Sequence, residues 1–324
     1  MGAPSLPSPA KARWQARAGS SIRSAPVLRE KTLYVTATQG ELYAFHTETG
    51  RELWKFKAGG QIHSTPALTG STVLFGCDDG KLYAVNGDSG TKVWQAAADG
   101  EIWSSAAVRQ GMVYFGSADA HVHAVEAKTG KRRWKAQMGG RVYATPYAAE
   151  NKIYTGCGDG NVHCLDAETG KILWSFKTGN GIDSSPALAG DTLLIGSQDF
   201  FVYALDANSG DVRWKYETGL GVSSPPAVHG NVVVIGSKDG SLYSLELGTG
   251  KLGWKVRAGE AITGPAVVGE RLTYMQSWGL HALETASGKV VWRAGLGFGV
   301  QNAPVIAGAR IYLTSQGGEV YALE

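Results

Sequence analysis

The stretch NVHCLDAETGKILW, residues 161–174, decides the reading of this chain, because close copies of it recur along nearly the whole length. The tryptophans that end the copies stand at Trp14, Trp54, Trp94, Trp134, Trp174, Trp214, Trp254 and Trp292, so six intervals are 40 residues and the last is 38. A period in this range, with strand-like pieces between the markers, means an array or a propeller. Outward from Ser184, one unit divides into SSPALAG, DTLLIGSQD, FFVYALDANSG and DVRWKYETG. Each piece holds apolar and β-branched residues bounded by Gly, Asp, Asn or Ser, the pattern of four short antiparallel strands. Asp79-Gly80, Asp159-Gly160 and Asp239-Gly240 mark a tight hairpin between second and third strands. Thr169-Gly170 and its counterparts mark the turn before the tryptophan strand. First strands are expected to begin near Ser24, Ser64, Ser104, Ala144, Ser184, Ser224, Thr263 and Asn302, which makes eight units.

The two ends complete one another. KARWQARAG, residues 11–19, matches KILWSFKTG at 171–179 but has no AxDxxTG segment before it. GEVYALE, residues 318–324, supplies that segment and stops before any tryptophan. A lone sheet of this size cannot bury both faces, whereas each sheet in a ring packs on two neighbours. The expected fold is therefore all-β: an eight-bladed β-propeller of four-stranded antiparallel blades, closed non-covalently by the N-terminal strand pairing with the C-terminal blade. Residues 11–324 are expected to form that single propeller. Residues 1–10, MGAPSLPSPA, carry three prolines and no apolar period, and read as a disordered linker or expression remnant. The repeat tryptophans are read as structural docking residues, each costing ~3–5 kcal/mol if replaced by alanine.

Composition narrows the function classes. A net charge of +3, from 31 Lys plus Arg against 28 Asp plus Glu, disfavours nucleic-acid or polyanion binding. No apolar run approaches the ~20 residues that span a bilayer, and the N-terminus lacks a basic-then-apolar leader. The three cysteines lack metal-ligand spacing. Cys77 and Cys157 share a repeat position with Ser117, Ser197 and Ser237, and Cys164 shares one with Ala44, Ala84, Ala124 and Ala204. All three read as small buried side chains, with no disulfide framework expected.

The repeat resembles that of the eight-bladed propellers built from pyrroloquinoline-quinone (PQQ) type units, whose tryptophan-docking signature is Ala-x-Asp-x-x-Thr-Gly-Lys-x-x-Trp. Asp166, Thr169, Gly170, Lys171 and Trp174 match it, with Cys164 at the alanine position. Ala204, Asp206, Gly210 and Trp214 match again, with Ser209 for threonine and Asp211 for lysine. Other units drift, placing Glu126 or His46 at the aspartate position. The resemblance covers roughly residues 11–324 and implies the fold. Quinoprotein dehydrogenases of this family are longer, with loops that house quinone and calcium. This chain departs from them in its near-constant unit length, its lack of a vicinal cysteine pair, and the absence of a matching Glu, Asn and Asp set. It is closer in character to the non-enzymatic members: the outer-membrane assembly lipoprotein scaffold and the propeller sensor domains of bacterial serine/threonine kinases. The resemblance implies no catalysis and no required cofactor. It also implies an extracytoplasmic or periplasmic setting if a leader or parent domain lies upstream.

Structural demand repeats in every unit, so candidate sites lie where the units differ in chemistry. Just before the first strands stand Arg23, His63, Trp103, Tyr143, Asp183, Ser223, Thr263 and Gln301. These are expected to ring one mouth of the channel. They could hold a small planar or anionic ligand, with Trp103 and Tyr143 stacking and Arg23 and His63 pairing with charge, or simply vary as loops do. The seventh unit is two residues short and carries Trp278 where the turn aspartate belongs, and the fifth has Phe200-Phe201 after Asp199. Such tips could anchor a partner peptide or fold back on neighbouring loops. His121 and His123 form a His-x-His pair, but His123 occupies the position of Tyr43, Tyr83 and Tyr203, as do His163 and His281 in their units. They are read as packed aromatic substitutes, and no metal is expected. The sequence thus points to a monomeric, non-enzymatic binding or scaffold module that presents this ring and the hairpin tips to a protein segment or small ligand. A PQQ-binding sensor is the alternative, and a quinoprotein dehydrogenase the third reading.

Overall fold

The structure, a computed structural model, describes residues 11–277, 279–295 and 302–324. The expected linker at 1–10, Trp278 and Gln301 lie outside the described residues. Eight four-stranded antiparallel sheets follow one another, each with its strands in sequence order except the last. We number the blades in chain order, blade 1 starting at Val27 and blade 8 combining Ala12–Arg17 with the last three strands. Blade 4 is typical, with strands Tyr147–Ala149, Lys152–Gly156, Asn161–Asp166 and Ile172–Lys177. Its two middle strands are buried along almost their whole length, whereas the outermost alternates exposed and half-buried positions. That difference follows from face-to-face packing, since middle strands are covered by a neighbouring blade on each side and the outermost strand meets solvent. The core accordingly lies between blades. One cluster joins Tyr34, Leu42 and Ala44 of blade 1 to Val73, Phe75 and Tyr83 of blade 2.

The ring closes as the sequence implies. Ala12–Arg17 is the outermost strand of blade 8 and pairs with Glu319–Leu323, Gln15 opposite Tyr321 and Ala16 opposite Val320. Lys11 and Glu324 exchange two backbone hydrogen bonds of 3.0 Å. On the inner side, Thr314 Oγ1 donates to the Ser24 carbonyl at 2.9 Å, tying blade 8 to blade 1.

Each repeat tryptophan docks on the blade that follows its own. Trp14 Nε1–H donates to the Thr47 carbonyl, Trp134 to Ala167 and Trp174 to Ala207, at 2.7, 3.0 and 3.2 Å. The indoles of Trp14, Trp54, Trp94, Trp134, Trp174, Trp214 and Trp254 each lie on the glycine of the next blade's turn. Gly170 has φ +73°, and a Cβ there would meet Trp134 Cε3 at 2.6 Å. The signature's glycine is thus required twice, for its left-handed backbone and for the absent side chain.

The innermost strands correct the sequence reading. They begin at Val27, Ala67, Ala107, Tyr147, Ala187, Ala227, Val267 and Val305, about three residues later than expected. The residues before them are committed elsewhere. Ser64 Oγ donates to the Gly76 carbonyl and accepts from Gly76 N, and Pro26, Pro66, Pro146 and Pro186 have no N–H to give a ladder. Thr65 N and Thr145 N instead donate sideways to Ser105 Oγ and Ser185 Oγ of the next blade, at 2.9 Å each. The segment that lines the channel is therefore held by side-chain bonds to its own blade and to the next one around the ring, not by a strand ladder.

Candidate functional site

The residue before each buried inner serine has no shared structural task. Ser64, Ser104, Ser184 and Ser224 are buried and hydrogen-bonded inward, whereas the side chains one residue earlier emerge at the channel mouth. Arg23, Asp183, Ser223, Thr263, Asn302 and Gln316 line a polar cavity of about 530 Å³. Its lining comes from blades 1, 2, 5, 6, 7 and 8, which places it at the mouth of the central channel. On the remaining arc the aromatic members meet each other. His63 and Trp103 have ring centroids 5.0 Å apart, and Trp103 stacks on Tyr143 at 4.7 Å with 18° between planes. Arg141 lies over the Tyr143 ring at 5.2 Å. Trp103 stays 40% exposed despite these neighbours. The mouth is thus divided into an aromatic arc on blades 2–4 and a polar arc on blades 5–8 and 1.

Several residues that complete this surface were missed from sequence. Gln198 Nε2 bridges Asp183 Oδ2 and Ser223 Oγ at 2.8 Å each, and Lys238 Nζ donates to Gln198 Oε1 at 2.9 Å. Asp78 Oδ2 lies 3.4 Å from His63 Nε2. All sit at one hairpin position, occupied by Asp78, Ala118, Gly158, Gln198 and Lys238 in blades 2 to 6. That spread of chemistry was the available signal.

The hairpin tips behave differently from one another. Phe200 is 42% exposed with φ +79°, at a position that is Gly80, Gly160 and Gly240 in other blades. Phe201 folds back, packing near Tyr203 with Lys215 Nζ 4.6 Å from its ring. The turn aspartates are structural. Asp79 accepts from Lys81 N and from the Tyr83 hydroxyl, the latter at 2.6 Å. Burial pushes the Asp79 carboxyl up, but the Tyr83 hydroxyl and Lys81 outweigh it and hold the group below its ordinary range.

His123 stacks on Phe115 at 4.9 Å and 6°, as Tyr83 stacks on Phe75 at 5.4 Å and 12°. Its Nε2 lies 3.0 Å from Asp119 Oδ2. Burial drives its pKa down in spite of that carboxylate. Cys77, Cys157 and Cys164 are buried free thiols, as expected of small filler side chains. Burial pushes the Cys77 thiol up to about 12 and the Cys157 thiol to about 11. Neither is a nucleophile near neutral pH in this state.

A planar quinone finds no open stacking gap between Trp103 and Tyr143, whose rings are already stacked at 4.7 Å. Among the described residues of the cavity lining Arg23 is the one cation that could meet a tricarboxylate, and it shares the cavity with Asp183. We derive no chemistry through that group.

Fold and repeat together define an eight-bladed propeller of PQQ-type units. Within that class, the chain belongs to the family described as outer membrane protein assembly factor BamB, which matches residues 8–139, 78–159, 158–273 and 238–324. Among solved structures it is similar to BamB from Moraxella catarrhalis, with 18% identity and a TM-score of 0.84 over 97% of this chain and 99% of that one. It is equally similar to the computationally designed Ika8 protein, with 18% identity and a TM-score of 0.84 over 95% and 97% of the two chains. Quinohemoprotein alcohol dehydrogenase ADHIIG from Pseudomonas putida HK5 shares 15% identity and a TM-score of 0.86, over 97% of this chain and 76% of that one. At such identities the likeness shows the fold alone. No curated relative matches the chain.

Proposed function

We propose that this chain is a non-enzymatic binding or scaffold module that holds an extended protein segment across its channel mouth. The observation that carries this reading is the division of the mouth, with the Trp103–Tyr143 stack facing a polar cavity lined by Arg23, Asp183 and Ser223. A segment with an apolar anchor beside a polar or charged residue would satisfy both arcs, and a rigid exposed aromatic is a favoured anchor site. Phe200 adds support from the same face. A bulky residue in left-handed backbone costs ~1–2 kcal/mol, and the Phe200 side chain is nonetheless 42% exposed. The family's description as an assembly factor of outer membrane proteins supports a protein partner and an extracytoplasmic setting.

The test is a tiled library of extended peptides screened by fluorescence polarisation against the full chain and a Trp103→Ala/Tyr143→Ala variant. Loss of an anchor of this kind costs at least ~2 kcal/mol, or roughly 30-fold in affinity. Binders that ignore the double change would show that the mouth is not the recognition site.

A further inference from the structure

We propose that Cys157, Asp159 and His163 in the second hairpin of blade 4 form a binding site for a divalent transition-metal ion of the zinc type. The thiol sulfur, a carboxylate oxygen and a ring nitrogen of these residues all lie within 4.8 Å of one another. Around a tetrahedral zinc such donors stand ~3.4–3.6 Å apart, so binding asks for a closure of at most about 1.4 Å. One thiolate, one imidazole and a single carboxylate suit a borderline-soft ion, not calcium or magnesium, which require several oxygens.

His163 is the independent pointer. It is only 6% exposed, and its Nε2 is buried without a hydrogen-bond partner. Its Nδ1 lies 2.8 Å from Ser175 Oγ, so the nitrogen left for the cluster is Nε2. In blades 2, 3 and 5 this position satisfies itself on the turn carboxylate: Tyr83 and Tyr203 donate to Asp79 and Asp199, and His123 reaches Asp119. In blade 4 the carboxylate is engaged by Asn161 N and Nδ2, at 2.9 and 2.8 Å, and the imidazole is not its partner. A carboxylate has about four lone-pair sites, so capacity for a cation remains.

Ser175 supplies a further distinction. The residue directly across the sheet from this position is Lys55, Gln95, Lys135, Lys215, Lys255, Arg293 or Gln15 in the other blades. Only opposite His163 is it a short hydroxyl. Where other blades place a long polar or cationic side chain, blade 4 places a group that fixes one imidazole nitrogen. Such an outer hydrogen bond is what orients metal-ligating histidines and selects their tautomer. Nδ1–H donating to Ser175 directs the Nε2 lone pair toward Cys157 and Asp159. On binding, a metal–sulfur bond replaces the Cys157 S–H bond and the proton leaves to solvent. Water, which reaches the site beside the partly exposed Asp159 and exposed Gly158, takes the remaining position.

The experiment is a cobalt(II) titration of the chelator-treated full chain, read by absorbance and followed by displacement with zinc. Wild type should show a thiolate-to-cobalt charge-transfer band saturating at one equivalent, bleached by zinc. Cys157→Ser and His163→Tyr should abolish it, and both install the residue that other blades carry, so the fold is kept and checked by tryptophan fluorescence. Cys77→Ser, at the equivalent position in blade 2, should leave the band intact. Ser175→Ala should weaken affinity by about 10- to 100-fold. The proposal is overturned if wild type gives no such band, or if the band survives His163→Tyr or disappears with Cys77→Ser.

Discussion

Gly170→Ala isolates the interaction that locks one blade to the next. Gly170 sits in left-handed backbone at φ +73°, and a methyl group there would lie 2.6 Å from Cε3 and 2.7 Å from Cδ2 of Trp134. The neighbour is a rigid indole held by its hydrogen bond to the Ala167 carbonyl, so it cannot yield cheaply. Two costs add. An L-residue in left-handed backbone costs ~1–2 kcal/mol, and forcing a methyl group into a packed contact costs ~1–3 kcal/mol. Gly190 separates them, because its φ is +59° yet a Cβ there would meet nothing within 4 Å. Gly190→Ala should therefore lose ~1–2 kcal/mol and Gly170→Ala ~2–5 kcal/mol. In a Trp134→Ala background the contact is gone, so Gly170→Ala should fall back to the Gly190 value, a coupling of ~1–3 kcal/mol. Removing Trp134 leaves the Ala167 carbonyl with the Tyr114 hydroxyl at 3.3 Å, so the cycle is not confounded by an orphaned acceptor. Urea unfolding followed by both fluorescence and circular dichroism gives the values, with coincident transitions as the condition for treating them as free energies. Equal costs for Gly170→Ala and Gly190→Ala, or a Gly170 cost that persists without Trp134, would refute cross-blade docking as the reason for this glycine.

Three further outcomes follow from the same structure. Deleting residues 11–17 removes the outer strand of blade 8 and bares the Glu319–Leu323 edge, so size-exclusion chromatography should show concentration-dependent association and urea melts a lower midpoint; an unchanged monomer would contradict closure by this strand. Asp206 is held down to about 2, first by Arg213 and then by the backbone N–H groups of Ser209 and Asn208. Its unfolded value is ~3.9, so its contribution is complete above about pH 4 and lost as pH falls toward about 2. Asp206→Asn should accordingly lower stability at neutral pH and flatten the acid limb across that window in melts scanned by pH. Phe200→Gly should raise stability by ~1–2 kcal/mol in urea melts by relieving the left-handed backbone, while weakening any peptide found to bind the mouth.

The ring was legible because its markers are spaced, bulky and chemically unmistakable. Trp14 without a preceding AxDxxTG segment, and Tyr321 within a segment that has no tryptophan after it, announced a shared blade. The signature was less transparent than it looked. Read along the chain, Asp166 to Trp174 is one motif, but in space the turn at Gly170 receives Trp134 from blade 3 while Trp174 leaves to dock on Ala207 of blade 5. A linear string here encodes two half-interfaces, and only coordinates separate them. The start of the inner strands was misread for a related reason. Ser64 and Thr65 have the composition of a strand, but their hydrogen bonds run to Gly76 and around the channel to Ser105. Propensity cannot reveal that, since it does not specify a partner. Gln198 and Lys238 escaped because their role is to bridge residues of different blades.

The contrast between adjacent residues at the mouth explains how one scaffold can serve unrelated tasks. Ser104 is buried and its Oγ accepts from Gly116 N at 3.1 Å within its own blade, whereas the Trp103 side chain beside it is 40% exposed. A ring therefore alternates one constrained position with one released position, and repeats that pairing around a closed circle. Released positions 40 residues apart in sequence become neighbours in space, which is how Trp103 comes to stack on Tyr143. Any surface built this way is a product of combinations between blades, not of a local motif. That is why the same frame accommodates an assembly factor, a designed protein and a dehydrogenase, and why the function of this chain has to be sought in which side chains meet across its blade boundaries.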